Sequence, residues 1–246
     1  MDRLIGRFLH ESTNATYWME KPGWSSGNSV ADMALRGLRS LPFSVHDAQK
    51  RLVFKEGDNV TVSGESVVTY QEDTVRKYMF RYPLGMPLDT FFYEARKEVA
   101  TVTDKLGGIA LPTTLRLTKA DIFNKPFGPV IAPVQIQRRL DTMANPAFTP
   151  NDMHPHPKAA FEKTVRDLDA LLQQTDQMIM DDGFYPEVAF SSGNLRRDVY
   201  TGDITLVDVM PLRQDGTRLI GDSPSKLPHT LDALKDIGAF VGKFGS

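Results

Sequence analysis

Two oxygen donors in the last third of the chain have the types and spacing for chemistry. Asn194 and Asp208 bracket the stretch Asn194-Leu-Arg-Arg-Asp-Val-Tyr-Thr-Gly-Asp-Ile-Thr-Leu-Val-Asp208. Its middle, Tyr200-Thr-Gly-Asp203, is rich in turn formers, and β-prone runs at Leu195–Arg197 and Ile204–Val207 flank it. That pattern predicts a hairpin. A hairpin with those ends sets an amide oxygen beside a carboxylate. Both are hard donors suited to Mg²⁺ bridging nucleotide phosphates. The competing reading is a surface hairpin whose Asn and Asp only cap turns, because turns favour both residues anyway.

Other chemistries are poorly supplied. The 246 residues include no cysteine, which excludes disulfides, thiolate-bound zinc, iron–sulfur clusters and thiol nucleophiles. With five His, a metal site must rely mainly on oxygen ligands. His154-Pro-His156 lies among prolines without a helical carboxylate–His spacing and reads as a solvated loop. Ser191-Ser192-Gly193 lacks the frame of an esterase elbow. The 29 basic and 31 acidic side chains leave a net charge of −2, so no global field favours a nucleic-acid backbone.

The elements that must position the two donors follow from periodicity and punctuation. Residues 28–40 predict a short helix. Leu52–Phe54, Val60–Val62, Val67–Tyr70 and Val75–Tyr82 predict strands, separated by Gly57-Asp58-Asn59, Ser63-Gly64 and Glu72-Asp73, as in an antiparallel meander. A helix from about Leu88 to Leu106 ends at Gly107-Gly108. Strands at Thr113–Leu117 and Val130–Gln137 come next, and the four prolines of 141–158 mark a connector. From Pro157 to Asp182, Phe161, Val165, Leu168, Leu172 and Ile179 draw a long amphipathic helix, and 229–244 reads as a closing helix. The expected organisation is an N-terminal extension at 1–50, a β-rich lobe at 51–140 and a helical lobe at 141–246, hinged near 137–145.

This order of elements resembles the protein-kinase-like superfamily, including its aminoglycoside-phosphotransferase-like branch. The run Gly64-Glu-Ser-Val-Val-Thr-Tyr70 followed by Arg76-Lys-Tyr-Met-Phe-Arg-Tyr-Pro-Leu-Gly85 is similar to that branch's nucleotide-covering turn and third strand. The resemblance implies an α+β, two-lobed kinase-like fold with a small antiparallel β lobe and a helical lobe. It implies that a strand base, Arg81 or Lys77, holds phosphates. These two share strand parity and so face the same way. It further implies that Glu98 or Glu94, four apart on one helix face, steadies that base. Asn194 and Asp208 then look like the family's two metal-binding positions, with ATP and Mg²⁺ as cofactors.

One departure stands against these matches. Five residues before the metal-binding Asn the family carries a catalytic Asp, and here that position is Ala189. Alanine neither takes a proton nor accepts a hydrogen bond through its side chain. The chain is then an atypical phosphotransferase using a displaced carboxylate, with Glu187 nearest and Asp182 or Asp198 behind it. The alternative is a catalytically inactive pseudokinase that serves as a protein-interaction module. The expected partners are a nucleotide and a protein partner or substrate, with no nucleic acid and no membrane insertion. The expected location is the cytoplasm. The Ser-, Thr- and Asn-rich residues 10–30, which include Trp18 and Trp24, raise the alternative of an effector exported into a host cell by a specialised system.

Overall fold

The computed structural model describes residues 60–62, 66–79, 88–120, 130–152, 154–155, 157–214, 219 and 226–245. The expected helix at 28–40, the strand at Leu52–Phe54, and the candidate residues Gly64 and Arg81 lie outside the described residues.

The described chain is an α+β protein. In order it forms β1 (Val60–Val62), β2 (Ser66–Tyr70), β3 (Thr74–Met79), α1 (Leu88–Leu106), β4 (Thr113–Ala120), β5 (Val130–Arg138), α2 (Lys158–Asp182), β6 (Phe184–Tyr185), β7 (Leu195–Arg197), β8 (Ile204–Leu206), β9 (Leu212–Arg213) and α3 (Lys226–Phe244). Five strands make one sheet in the order β1-β2-β3-β5-β4, and β6–β9 and β7–β8 are separate pairs. None of the described helices is long and apolar enough to cross a membrane.

The chain divides into two compact units. The first holds β1, β2, β3 and β5, with β4 from Thr114 and α1 through Glu94. Its sheet is antiparallel from β1 to β2, β2 to β3 and β3 to β5. The β2–β3 turn is tight: the Gln71 N–H donates to the Thr74 carbonyl at 2.8 Å. Val60, Tyr78, Met79, Phe91, Leu115, Val134 and Leu219 are buried apolar side chains of this unit.

The second unit holds α1 from Ala95, the chain to Thr113, residues from Leu140 to Arg218, and α3. Burial along α1 falls on Phe91, Ala95, Val99, Val102 and Leu106, steps of three and four that give a helix one apolar stripe. Gly107 follows at φ +48°, a conformation that ends helices and favours glycine. The C-cap of α2 is Gly183 at φ +71°, whose N–H returns to the Ile179 carbonyl at 3.1 Å.

The buried stripe of α2 differs from the expected one. It runs through Ala160, Thr164, Val165, Leu168, Leu171, Thr175 and Met178, while Phe161, Leu172 and Ile179 are half-buried. Counting only apolar residues rotated the stripe, because two threonines sit inside it. Phe161 is still used: its ring meets Phe240 and Phe244 of α3 edge-on at 5.9 and 5.2 Å, which ties α2 to α3.

Candidate functional site

The β7–β8 hairpin pairs Leu195 with Leu206, Arg196 with Thr205 and Arg197 with Ile204. Leu195, Ile204 and Leu206 are buried, so the alternate residues of this short ribbon anchor it in the core. At the tip, Asp198 organises the turn. Its Oδ1 accepts the N–H groups of Tyr200 and Thr201 at 2.8 and 2.9 Å, and its own N–H donates to the Asp203 carbonyl at 2.8 Å. Asp198 is thereby committed to the turn, at the opposite end of the hairpin from Asn194.

At the open end the ladder continues by one bond: the Val207 N–H donates to the Asn194 carbonyl at 2.8 Å. Asn194 is therefore the residue across from Val207, one position before Asp208. Asn194 is half-buried, and its side-chain amide makes no hydrogen bond among the described residues. Asp208 is half-buried as well, and its Oδ1 accepts the Met210 N–H at 3.2 Å. The chain beyond it dives inward, with Val209, Met210 and Leu212 all buried.

The hairpin is braced along both outer edges. Along β7, the Phe148 N–H donates to the Leu195 carbonyl at 2.8 Å, and the N–H groups of Arg197 and Val199 donate to the carbonyls of Pro146 and Ala144 at 3.1 and 3.0 Å. Along β8, the Leu111 N–H donates to the Leu206 carbonyl at 2.9 Å. A third brace is a side-chain lock onto α2. Arg197 Nε–H donates to Thr164 Oγ1 at 2.9 Å, and Thr164 Oγ1 lies 2.8 Å from the Gly202 carbonyl and 2.9 Å from the Ala160 carbonyl. Burial pulls the Arg197 guanidinium below its ordinary value, and Asp198 partly offsets this. Gly202 stands at φ +81°, and a Cβ there would overlap the Ala160 carbonyl oxygen, so the turn presses on α2 as only glycine allows.

The segment before β7 is packed. Glu187, Val188 and Ala189 are all buried. A 3₁₀ turn at Phe190–Ser192 follows, with Ser192 Oγ donating to the Ala189 carbonyl at 2.6 Å and Gly193 at φ +63°. Glu187 is 1 % exposed and faces Lys226 Nζ, the first residue of α3, at 3.2 Å. A carboxylate held there anchors α3 to the loop. Its burial separates it from the solvent-facing position that a displaced base needs.

The other candidates fall as follows. Lys77 is half-buried on β3, across from Val68 on β2 and Gln135 on β5. Glu94 is half-buried on α1. Glu98 is 2 % exposed, and Arg213 grips its Oε1 with Nη2 at 2.6 Å and Nε at 3.2 Å. The expectation gave Glu98 to a base on the third strand; the ion pair described here joins it to Arg213 of β9. Asp182 is 3.8 Å from Lys105 on α1, in an exposed ion-pair group that includes Asp181.

Sequence reasoning did not single out Arg213, Lys226, Thr164 or the guanidinium of Arg197 as partners in this unit. Each makes its contact with a residue far away in the chain, and no local spacing encodes such a pairing. The two threonines at one phase of α2 were the only legible trace.

A magnesium ion held by Asn194 and Asp208 fits the donor chemistry. The pair supplies an amide oxygen and a carboxylate. No group of three His, Asp or Glu side chains placed to hold a metal occurs among the described residues. Two protein oxygens with the remainder from phosphate and water match the way magnesium is usually held. Comparison of the chain with protein-family models, curated proteins and solved structures finds no match.

Proposed function

We propose that this chain is a kinase-like phosphotransferase that binds ATP with Mg²⁺ and transfers a phosphoryl group to a protein or small-molecule hydroxyl. The observation that carries it is the braced β7–β8 hairpin with Asn194 and Asp208 at its open end. Further support comes from the order of elements: three strands, a helix and two more strands, the five strands forming one sheet, come before a long helix that leads to the hairpin. Asn194 and Asp208 would hold the metal, and Lys77 or Arg81 would hold phosphates. When bound, the metal would neutralise charge on the transferring group. The chain's part is to place donors and exclude water, since positioning and charge stabilisation carry most of phosphoryl transfer.

A second reading has its own support. Ala189 occupies the catalytic Asp position of the resembled family and is buried, and Glu187 is committed to Lys226. These two facts favour a pseudokinase, a nucleotide-binding module whose output is a protein contact. Thermal shift with ATP, with and without Mg²⁺, tests what both readings share, because a ligand that binds only the folded state raises the midpoint. The expected result is a metal-dependent rise that Asp208→Ala removes. No shift at millimolar nucleotide overturns both. Phosphate release or transfer by the wild type then separates the first reading from the second.

A further inference from the structure

Arg196 and Arg197 are neighbours on β7 and face opposite ways, as strand alternation requires. Arg197 points inward with Leu195, Ile204 and Leu206, all buried. Arg196 takes the outward face. Thr205 is directly across from it on β8, and paired residues project from one face. Asn194, two residues earlier, continues that face, since its carbonyl closes the next rung with Val207. All three side chains are half-buried, and none makes a hydrogen bond or ion pair among the described residues. The Arg196 guanidinium folds back towards the start of β7. A Cβ built on Gly193 would stand 3.6 Å from Arg196 Nη2 and 3.6 Å from the Ala147 Cβ. Ala147 in turn bridges Arg196 across the outer edge of β7. A cation is thus seated against small residues, beside a hydroxyl and an amide that are unmatched as well.

We propose that this outward face is a binding site for a small phosphate monoester, with Arg196 as the charge partner and Thr205 as the second donor. A guanidinium presents its N–H groups in a planar fork that two oxygens of one anion can fill. A carboxylate has two oxygens, and the fork uses both. A phosphate monoester has a third, which the Thr205 hydroxyl across the ribbon can meet as a donor. The seated pose of Arg196 lowers the cost of binding, because a side chain already packed against Gly193 and Ala147 has less freedom left to lose. The site uses neither of the bases given to the nucleotide phosphates and needs no metal. It stands whether or not the chain binds a nucleotide.

The test is titration of the full chain with inorganic phosphate in the presence of a chelator, and again with Mg²⁺. Chloride and acetate at matched ionic strength are the references, and thermal midpoints and calorimetry are the readouts. The expected result is saturable binding of phosphate, tighter than that of acetate and present without metal. Arg196→Met should weaken it by about tenfold or more, in line with the loss of one charge-assisted hydrogen bond. Thr205→Val should weaken phosphate by about twofold to tenfold and leave acetate unchanged. Arg166→Met, which removes an exposed cation of α2, should bind as the wild type does. If Arg196→Met does not fold, Arg196→Lys takes its place and should also bind more weakly, because an ammonium lacks the planar fork. The site is overturned by no saturable phosphate binding, by binding that survives the Arg196 substitution, by an equal loss in Arg166→Met, or by binding that requires Mg²⁺. None of these outcomes bears on the nucleotide reading, which ATP with Mg²⁺ tests separately.

Discussion

Arg197 on β7 reaches the hydroxyl of Thr164 on α2 at 2.9 Å, and both side chains are buried. Through this contact the long helix holds the strand that begins at Asn194. The same hydroxyl lies 2.8 Å from the carbonyl of Gly202 at the hairpin's far turn. Thr164→Val keeps the shape and removes both roles. It should cost about 1–3 kcal/mol, the usual penalty for leaving a buried polar group unmatched. Urea unfolding of the two single variants and the double variant with Arg197→Met should show non-additive losses, since the two residues share one interaction.

Gly202→Ala should be more disruptive than its one added methyl suggests. The left-handed conformation alone costs about 1–2 kcal/mol in a non-glycine residue. The methyl must also displace the Ala160 backbone of α2. A fall in the thermal midpoint, with loosened amide protection at Val207 and Leu111, is the expected outcome. A variant as stable as the wild type would contradict the close approach.

The Arg213–Glu98 pair should matter more than an ordinary surface ion pair. Glu98 is nearly inaccessible, and Arg213 holds one of its oxygens with two nitrogens. Arg213→Met is expected to cost about 1–3 kcal/mol, the range for hydrogen bonds to charged groups and for stranding a buried one. Arg213→Lys should recover only part of it, because an ammonium cannot reproduce the two-pronged grip.

Acid and base should act on the Asp203–Lys163 contact from opposite sides. The Thr201 hydroxyl, then Lys163, hold Asp203 below its ordinary value of 3.8. For Lys163, burial acts downward, but Asp167 and Asp203 outweigh it and leave the group above 10.5. A depressed carboxylate contributes stability that is present above its ordinary value and is lost as pH falls through the folded one. A raised ammonium contributes stability that is present below its ordinary value and is lost as pH rises through the folded one. Asp203→Asn should therefore lower stability at neutral pH and flatten its decline below about pH 4, as read from urea midpoints against pH.

Asn194→Ala should leave the fold intact, because the structural bond at this position uses the backbone carbonyl and not the side chain. It should diminish the Mg²⁺-dependent part of any ATP-induced thermal shift by more than the metal-independent part.

Much of the architecture was legible. The periodic stripe and the glycine stop of α1 place its ends at Leu88 and Leu106, where the structure has them. Leu195–Arg197 is a strand over the same bounds, and the turn at 200–203 joins it to β8. Other features leave no local mark. β6 and β9 have two residues each, too few for any period to register, and they exist because Phe184 and Tyr185 find Arg213 and Leu212. Thr164 and Thr175 scored as polar although each faces inward. At the candidate site, the residue types of Asn194 and Asp208 and the turn between them could be read directly. The commitments of Glu187 to Lys226 and of Glu98 to Arg213 could not, since each pair is assembled only by the tertiary fold.

The braces at 144–148 and 110–111 have a consequence beyond alignment. A two-stranded ribbon normally offers bare N–H and C=O groups on each side, an invitation for another chain to add a strand. Here the protein's own connectors take up the edge groups of Leu195, Arg197 and Leu206, so those groups are not open to an added strand.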